Sequence, residues 1–365
     1  MSSESLTFLS KSPEDSVSLK KLAEIPGFDH RIIKSTCFIP ERNLFLVLPV
    51  QFNRISIYST VRHFKLITTK TAQIKLNILN YSKELDKILL GGCYLQIWNP
   101  INFKLEAQSP EIPKDHGLMK TLVYLPSPKV IVAKTTSAIY IFDQYLALEA
   151  RFELLLYGGT QSSTADFFSV SQRLLLAVCH YSFEQPRLFL LNLKNEAVKE
   201  LDQLNIPYIP CVEMTQEAPS KVFTCLISLT KYDSARRYEQ NPSKLTQFTI
   251  DPQKEELVIS RVTKTDHSFN SLFRLKNSNY FLAEGWSPSN ISELFLLLIN
   301  KDQVQITQVI SREEIYIGRL NTFTMGKSLL FQIEGGVLYL YSCTNQRKKN
   351  SKSQESSLQD KVYGL

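Results

Sequence analysis

Leu95-Gln-Ile-Trp-Asn99 is the stretch on which the fold turns. Two apolar residues flank a polar one, a bulky aromatic follows, and a small polar residue closes the run. Alternation with a period of two belongs to a strand with a buried face, not to a helix. The same pattern stands at six other places: Ile55-Ser-Ile-Tyr-Ser59, Ile139-Tyr-Ile-Phe-Asp143, Leu188-Phe-Leu-Leu-Asn192, Gln247-Phe-Thr-Ile-Asp251, Leu296-Leu-Leu-Ile-Asn300 and Leu338-Tyr-Leu-Tyr-Ser342. From the last residue of one copy to the last of the next, the spacings are 40, 44, 49, 59, 49 and 42 residues. Period-two runs recurring at that distance mark a β-architecture of similar units.

Each copy follows a second apolar run: Asn43 to Pro49, Lys87 to Leu90, Lys129 to Ala133, Arg173 to Val178, Lys221 to Leu229, Asn279 to Ala283 and Ser328 to Ile333. Runs this close in sequence predict β-hairpins. A third segment lies upstream of every hairpin (Ile32 to Ile39, Ile74 to Tyr81, Met119 to Leu125, Ala165 to Val170, Pro210 to Met214, Phe269 to Leu275, Ile315 to Phe323). A fourth, more polar one lies downstream of six of them. Four strands in roughly 40 to 45 residues make a propeller blade.

The seventh unit has no fourth strand of its own, because Gln346-Arg-Lys-Lys-Asn-Ser-Lys follows Ser342 almost at once. A strand-like segment, Val17 to Ile25, stands unassigned before the first unit. Lending it to the last blade removes two free sheet edges that would invite aggregation. The expected fold is all-β: a seven-bladed β-propeller of four-stranded antiparallel blades, its ring closed by the N-terminal strand. It takes residues 1–346, with 17–25 completing the last blade, and leaves 347–365 as a basic, disordered C-terminal tail.

The pair ending each third strand (Tyr58-Ser, Trp98-Asn, Phe142-Asp, Leu191-Asn, Ile250-Asp, Ile299-Asn, Tyr341-Ser) resembles the Trp-Asp dipeptide of WD-repeat proteins. The likeness covers nearly all of the folded part. That family also places a His in the loop entering a blade, and Asp29-His30, Asp115-His116 and Asp266-His267 stand just before three first strands. No unit has a Trp-Asp or Gly-His pair, and the Asp that the family keeps between the second and third strands is missing. The resemblance therefore implies the fold and not the family's buried His-Asp-Ser-Trp network. Kelch-like and other seven-bladed propellers share the same strand arithmetic.

Composition bounds the remaining classes. With 365 residues, 43% of them hydrophobic and 11% aromatic, the chain can bury a sizeable core, which excludes wholesale disorder. The net charge of +7 and pI near 8.9 are a mild basic bias spread along the sequence, not a nucleic-acid signature. The longest apolar runs are as short as Leu294 to Ile299, far below a bilayer-spanning helix, so no membrane span is expected. The opening Met-Ser-Ser-Glu-Ser has no basic region followed by an apolar stretch, which predicts an intracellular protein, cytoplasmic or nuclear, and not a secreted one. Six cysteines (Cys37, Cys93, Cys179, Cys211, Cys225, Cys343) lie far apart without a Cys-x-x-Cys pair and read as reduced core thiols.

Signatures of chemistry are scarce. Cys179 and His180 are adjacent and point to opposite faces of a strand, so they do not begin a zinc site. Gly326-Lys327-Ser328 looks like the end of a phosphate-binding loop, but position 321, where its first glycine would fall, is Asn. Gly91-Gly92 and Gly335-Gly336 stand between second and third strands, where a tight hairpin calls for positive φ, and Gly158-Gly159 stands between units. There is no Gly-x-Ser-x-Gly elbow, no His-Glu-x-x-His and no kinase signature, so no catalytic, cofactor-binding or metal residues are assigned and no cofactor is expected.

The long insertion in the fifth unit, Thr230 to Lys244, accounts for the 59-residue spacing. Tyr232 and Tyr238 supply amphipathic rings and Arg236 and Arg237 planar donors, the residue types of interface hot spots, which makes these four the candidate partner-binding residues. The expected function is a non-catalytic protein–protein interaction scaffold, a subunit of a larger intracellular assembly whose partners are other proteins. The alternative, drawn from the basic insertion and tail, is an RNA-associated subunit of a ribonucleoprotein particle. Steep loss of binding with salt separates nucleic-acid contact from an apolar protein interface. A propeller enzyme with a channel active site is third, because such enzymes gather their residues from separate blades.

Overall fold

Left-handed residues mark where the chain reverses. Asn43, Asp86 and Lys129, with φ of 51°, 49° and 75°, each immediately precede a second strand. Phe64, Phe103, Leu146, Glu196 and Glu255, with φ of 55°, 55°, 68°, 53° and 52°, end the turns that lead into fourth strands. A short turn closed by such a residue gives the reversal that suits twisted antiparallel strands.

The computed structural model describes residues 15–26, 33–49, 53–61, 64–72, 74–153, 162–181, 187–201, 211–216, 222–227, 244–264, 267–274, 280–286, 292–299, 304–310, 323–325, 329–334 and 337–347. The first described strand is β1 (Asp15–Pro26). The first sheet is β2 to β5 (Ile33–Ile39, Leu44–Pro49, Arg54–Ser59, Lys65–Thr71), the second β6 to β9 (Leu76–Ser82, Lys87–Gly92, Leu95–Trp98, Leu105–Gln108). The third is β10 to β13 (Thr121–Leu125, Val130–Lys134, Ala138–Phe142, Leu148–Glu153), the fourth β14 to β17 (Ser162–Ser169, Leu174–Tyr181, Arg187–Asn192, Ala197–Glu200). The fifth is β18 to β21 (Cys211–Gln216, Val222–Ile227, Lys244–Asp251, Glu256–Lys264), the sixth β22 to β25 (Ser268–Arg274, Tyr280–Trp286, Ser292–Ile299, Val304–Ile310). The last holds β26 to β28 (Phe323–Met325, Leu329–Glu334, Val337–Arg347), with β1 antiparallel to β28 at its outer side. In that pairing Ile25 stands opposite Leu338 and Leu19 opposite Cys343.

The molecule is thus all-β, built of four-stranded antiparallel meanders in sequence order, and none of the sheets closes on itself. Helical geometry among the described residues is limited to two short 3-10 turns, Pro40–Arg42 and Lys114–His116. No described helix is long and apolar enough to cross a membrane. The tail after Arg347 lies outside the described residues, as does 315–322 of the seventh unit's first predicted strand.

The core lies between sheets. In β12, Ile139 and Ile141 pack with Leu175, Ala177 and Phe189 of the fourth sheet. The opposite face, Ala138, Tyr140 and Phe142, packs with Leu89, Leu95 and Met119 on the side of the second sheet. A strand buried on both faces reads as a continuous apolar run, which is why Ala-Ile-Tyr-Ile-Phe carries so little polar alternation. Ile57, Ile97, Ile141, Leu190 and Ile299 are all buried. The side chain of Leu340 lies outside the described residues. In the fifth copy the same parity holds: Phe248 and Ile250, at its second and fourth positions, pack toward Leu176 and Leu190 of the fourth sheet, as Phe189 and Leu191 pack toward the third.

Side chains of first strands staple the first four sheets one to the next. Lys34 Nζ donates to the Leu76 carbonyl at 3.1 Å and Ser35 Oγ to that of Leu79 at 3.0 Å. One sheet on, Asn77 Nδ2 donates to the Met119 carbonyl at 2.6 Å and Asn80 Nδ2 to that of Leu122 at 2.9 Å. Next, the Ala165 amide donates to Thr121 Oγ1 at 3.1 Å. Equivalent strands therefore lie side by side and run the same way. Beyond them β18 lies against β22, β26 against β2, and β1 against β25.

Gly91 and Gly92 correct the expectation of a positive-φ turn. They end β7 as strand residues, and the turn is made by Cys93 and Tyr94. The need for glycine is close approach: a Cβ on Gly92 would stand 1.9 Å from the Lys75 carbonyl oxygen, and one on Gly91 2.8 Å from Ile78 Cγ2. Gly335-Gly336, Gly158-Gly159 and Gly326-Lys327-Ser328 lie outside the described residues.

Candidate functional site

In four of the repeats the closing polar residue has a local role. Asn99 Oδ1 accepts from the amides of Ile101 and Asn102 at 2.8 and 3.3 Å. Asp143 Oδ1 does so from Tyr145 and Ala147, both at 2.8 Å. Asn192 Oδ1 accepts from Lys194 at 3.0 Å, and Asp251 Oδ1 from Gln253 and Lys254 at 2.8 and 3.2 Å. The last two amides hold the Asp251 carboxyl below its usual range. These are Asx turns, in which a short side chain substitutes for a backbone carbonyl.

Trp98 and the described histidines of the sheet-entering connections form separate, satisfied contacts. Trp98 Nε1 donates to Gln96 Oε1 at 3.1 Å, and Gln96 Nε2 donates to Gln108 Oε1 at 2.6 Å, which accounts for a buried glutamine. His116 is buried in the connection entering the third sheet, where its Nδ1 is hydrogen-bonded to the Tyr140 hydroxyl. Gly117, at φ 77°, lets that connection press on Thr136: an added Cβ would meet Thr136 Oγ1 at 2.7 Å. His267 stacks on Phe269 with ring centroids 6.1 Å apart and meets the Phe295 ring edge-on at 5.0 Å. Both histidines are engaged in packing. His30, His63 and Asp266 lie outside the described residues, and of His180 only the strand backbone is described.

The most perturbed buried group is Lys134, the last residue of β11, which has no solvent exposure. Val130 and Val132 face the fourth sheet, so strand alternation turns Lys134 the same way, toward the buried Cys179 thiol. Its ammonium donates to the Thr135 carbonyl at 2.6 Å. Burial pushes its pKa down to about 8, Cys179 opposing the shift and Lys120 adding to it. The Ser137 hydroxyl, also buried, has no partner among the described residues. The parity of Val130-Ile-Val-Ala-Lys134 is the signal that could have marked this lysine as inward. The Lys134 side chain is fully buried, and among the described residues no three His, Cys, Asp or Glu side chains gather as a metal site.

The expected partner-binding residues Tyr232, Arg236, Arg237 and Tyr238 lie outside the described residues. What is described is their frame. Ile227, the last residue of β19, pairs with Lys244, the first of β20, so residues 228–243 leave and rejoin the fifth sheet at adjacent points. The outermost strand β21 ends there too, with Lys264 opposite Lys244. Among the described thiols, Cys37 and Cys179 are buried, Cys93 is half-buried, and none of the three is in a disulfide. No protein-family model matches this chain, and no curated protein shows significant similarity to it.

Proposed function

We propose that the chain is a seven-bladed, WD-repeat-like β-propeller that serves as a non-catalytic scaffold for other proteins inside an intracellular multi-subunit assembly. The observation that carries the ring is the stapling of successive first strands through Lys34, Ser35, Asn77, Asn80 and Thr121. Equivalent strands set side by side, sheet after sheet, are what a radial arrangement of blades requires. The antiparallel pairing of β1 with β28 and the approach of β26 to β2 support closure at the two ends.

The scaffold reading rests on the fifth sheet. Its hairpin is complete once Ile227 pairs with Lys244, and residues 228–243 are additional to it. Loops carried on a rigid frame are where binding residues concentrate. The test replaces Tyr232, Arg236, Arg237 and Tyr238 together with Ser and compares partner recovery by cross-linking and mass spectrometry. The expected outcome is loss of partners with an unchanged melting temperature. Recovery of the same partners at the same level would reject the insertion as the interface. Partners that disappear on nuclease treatment of the wild type would replace this reading with the RNA-associated one.

A further inference from the structure

Three neighbouring turns carry apolar side chains that the fold does not ask for. The Asx turns after β8, β12, β16 and β20 use only backbone amides at their second residue, so that side chain is unconstrained. In the fourth and fifth sheets it is the exposed polar Lys194 and Gln253. In the second and third it is Ile101, 68% exposed, and Tyr145, 77% exposed. The equivalent residue after β4 is Val61, 39% exposed. Behind each apex stands a leucine about half exposed: Leu66, Leu105 and Leu148.

These turns belong to one end of the first three sheets. In a meander the turn after the third strand lies at the same end as the turn after the first. The parallel stapling of β2 to β6 and β6 to β10 aligns that end across the three sheets. Arg42 and Asp86, paired at 2.7 Å, tie the first and second sheets together there. The result is a row of apolar apexes along one rim.

Charge is distributed unevenly along the row. Lys65 beside Val61 and Lys104 beside Ile101 are exposed, with no acidic partner among the described residues. At the other end Tyr145 is flanked by Asp143 and the exposed Glu149, which has no basic partner among the described residues. Glu106, between them, is already bound to Lys87 at 2.8 Å. The row is therefore positive at the first and second sheets and, with two carboxylates against the exposed Lys129, net negative at the third.

We propose that this rim is a two-fold interface with a second copy of the chain. A two-fold axis near Ile101 sets the first sheet of one copy against the third sheet of the other, which brings Lys65 of each onto Glu149 of its mate. An isologous contact requires that self-complementarity of sign, and the row has it together with a central apolar residue. An anionic membrane would want one sign only.

Sedimentation velocity of the full chain over a range of concentrations tests this. The wild type should sediment as a dimer of the 41.9 kDa chain. Val61→Ser, Ile101→Ser and Tyr145→Ser combined should raise the dimer dissociation constant at least about 100-fold, with an unchanged melting temperature. Lys65→Glu alone and Glu149→Lys alone should each weaken the dimer roughly tenfold, and the two together should restore it. A wild type that stays monomeric at every concentration overturns the proposal, as does a dimer that the triple variant leaves intact or a charge swap that fails to restore association. Partner recovery through the fifth-sheet insertion is a separate readout, so either reading fails without the other.

Discussion

At the scale of single residues, Lys134 opposes the fold that contains it. Its pKa falls from 10.5 to about 8 in the folded state, so between those values the unfolded chain holds more protons. Stability should therefore rise as pH climbs from about 8 toward 10.5, and the full burial penalty is present below 8. That depression corresponds to roughly 3 kcal/mol. Lys134→Met should raise the melting temperature at pH 7, and its advantage over wild type should shrink as the pH rises; calorimetry of both proteins at three pH values checks the sign. Gly92 fails for a different reason. Gly92→Ala puts a methyl group 1.9 Å from a carbonyl of the neighbouring connection, so it should destabilise by more than about 3 kcal/mol in a denaturant titration.

At the scale of elements, β1 decides how the last sheet ends. It covers β28 from Asp15 opposite Arg347 to Pro26 opposite Val337, with one irregularity between Lys21 and Ala23. Deleting residues 1–26 uncovers a long strand edge. The truncated chain should melt well below the wild type and aggregate, and equal melting temperatures would show that β1 contributes nothing. Strand positions were largely legible in the sequence, because hairpin spacing and period-two runs are local properties. The second and third strands of every sheet coincide with apolar runs that can be read by eye. Less legible was the role of Asn99 and Asp143. As letters they only resemble half of a Trp-Asp dipeptide, and it is the hydrogen bonds that identify them as turn caps.

At the scale of the whole molecule, each of several core clusters is shared between two adjacent sheets. A sheet that unfolds alone would strip a face from both neighbours. Ile57→Ala in the first sheet and Ile141→Ala in the third should therefore each cost about 2 to 5 kcal/mol and shift one common thermal transition. Two separated transitions would mean that the sheets unfold as independent units.

The sequence by itself determined the strand-rich class, the repeat length, the hairpins and the inward parity of the third strands, since these follow from alternation and spacing within a few residues. Tertiary structure alone decided which faces of β12 meet which neighbour, that Lys134 is sealed between two sheets, and that Gly92 serves close approach rather than a turn. It also decided that Val61, Ile101 and Tyr145 share one rim. Those outcomes depend on residues some 40 positions apart being brought side by side by the first-strand staples, and no local pattern in the chain encodes such a distance.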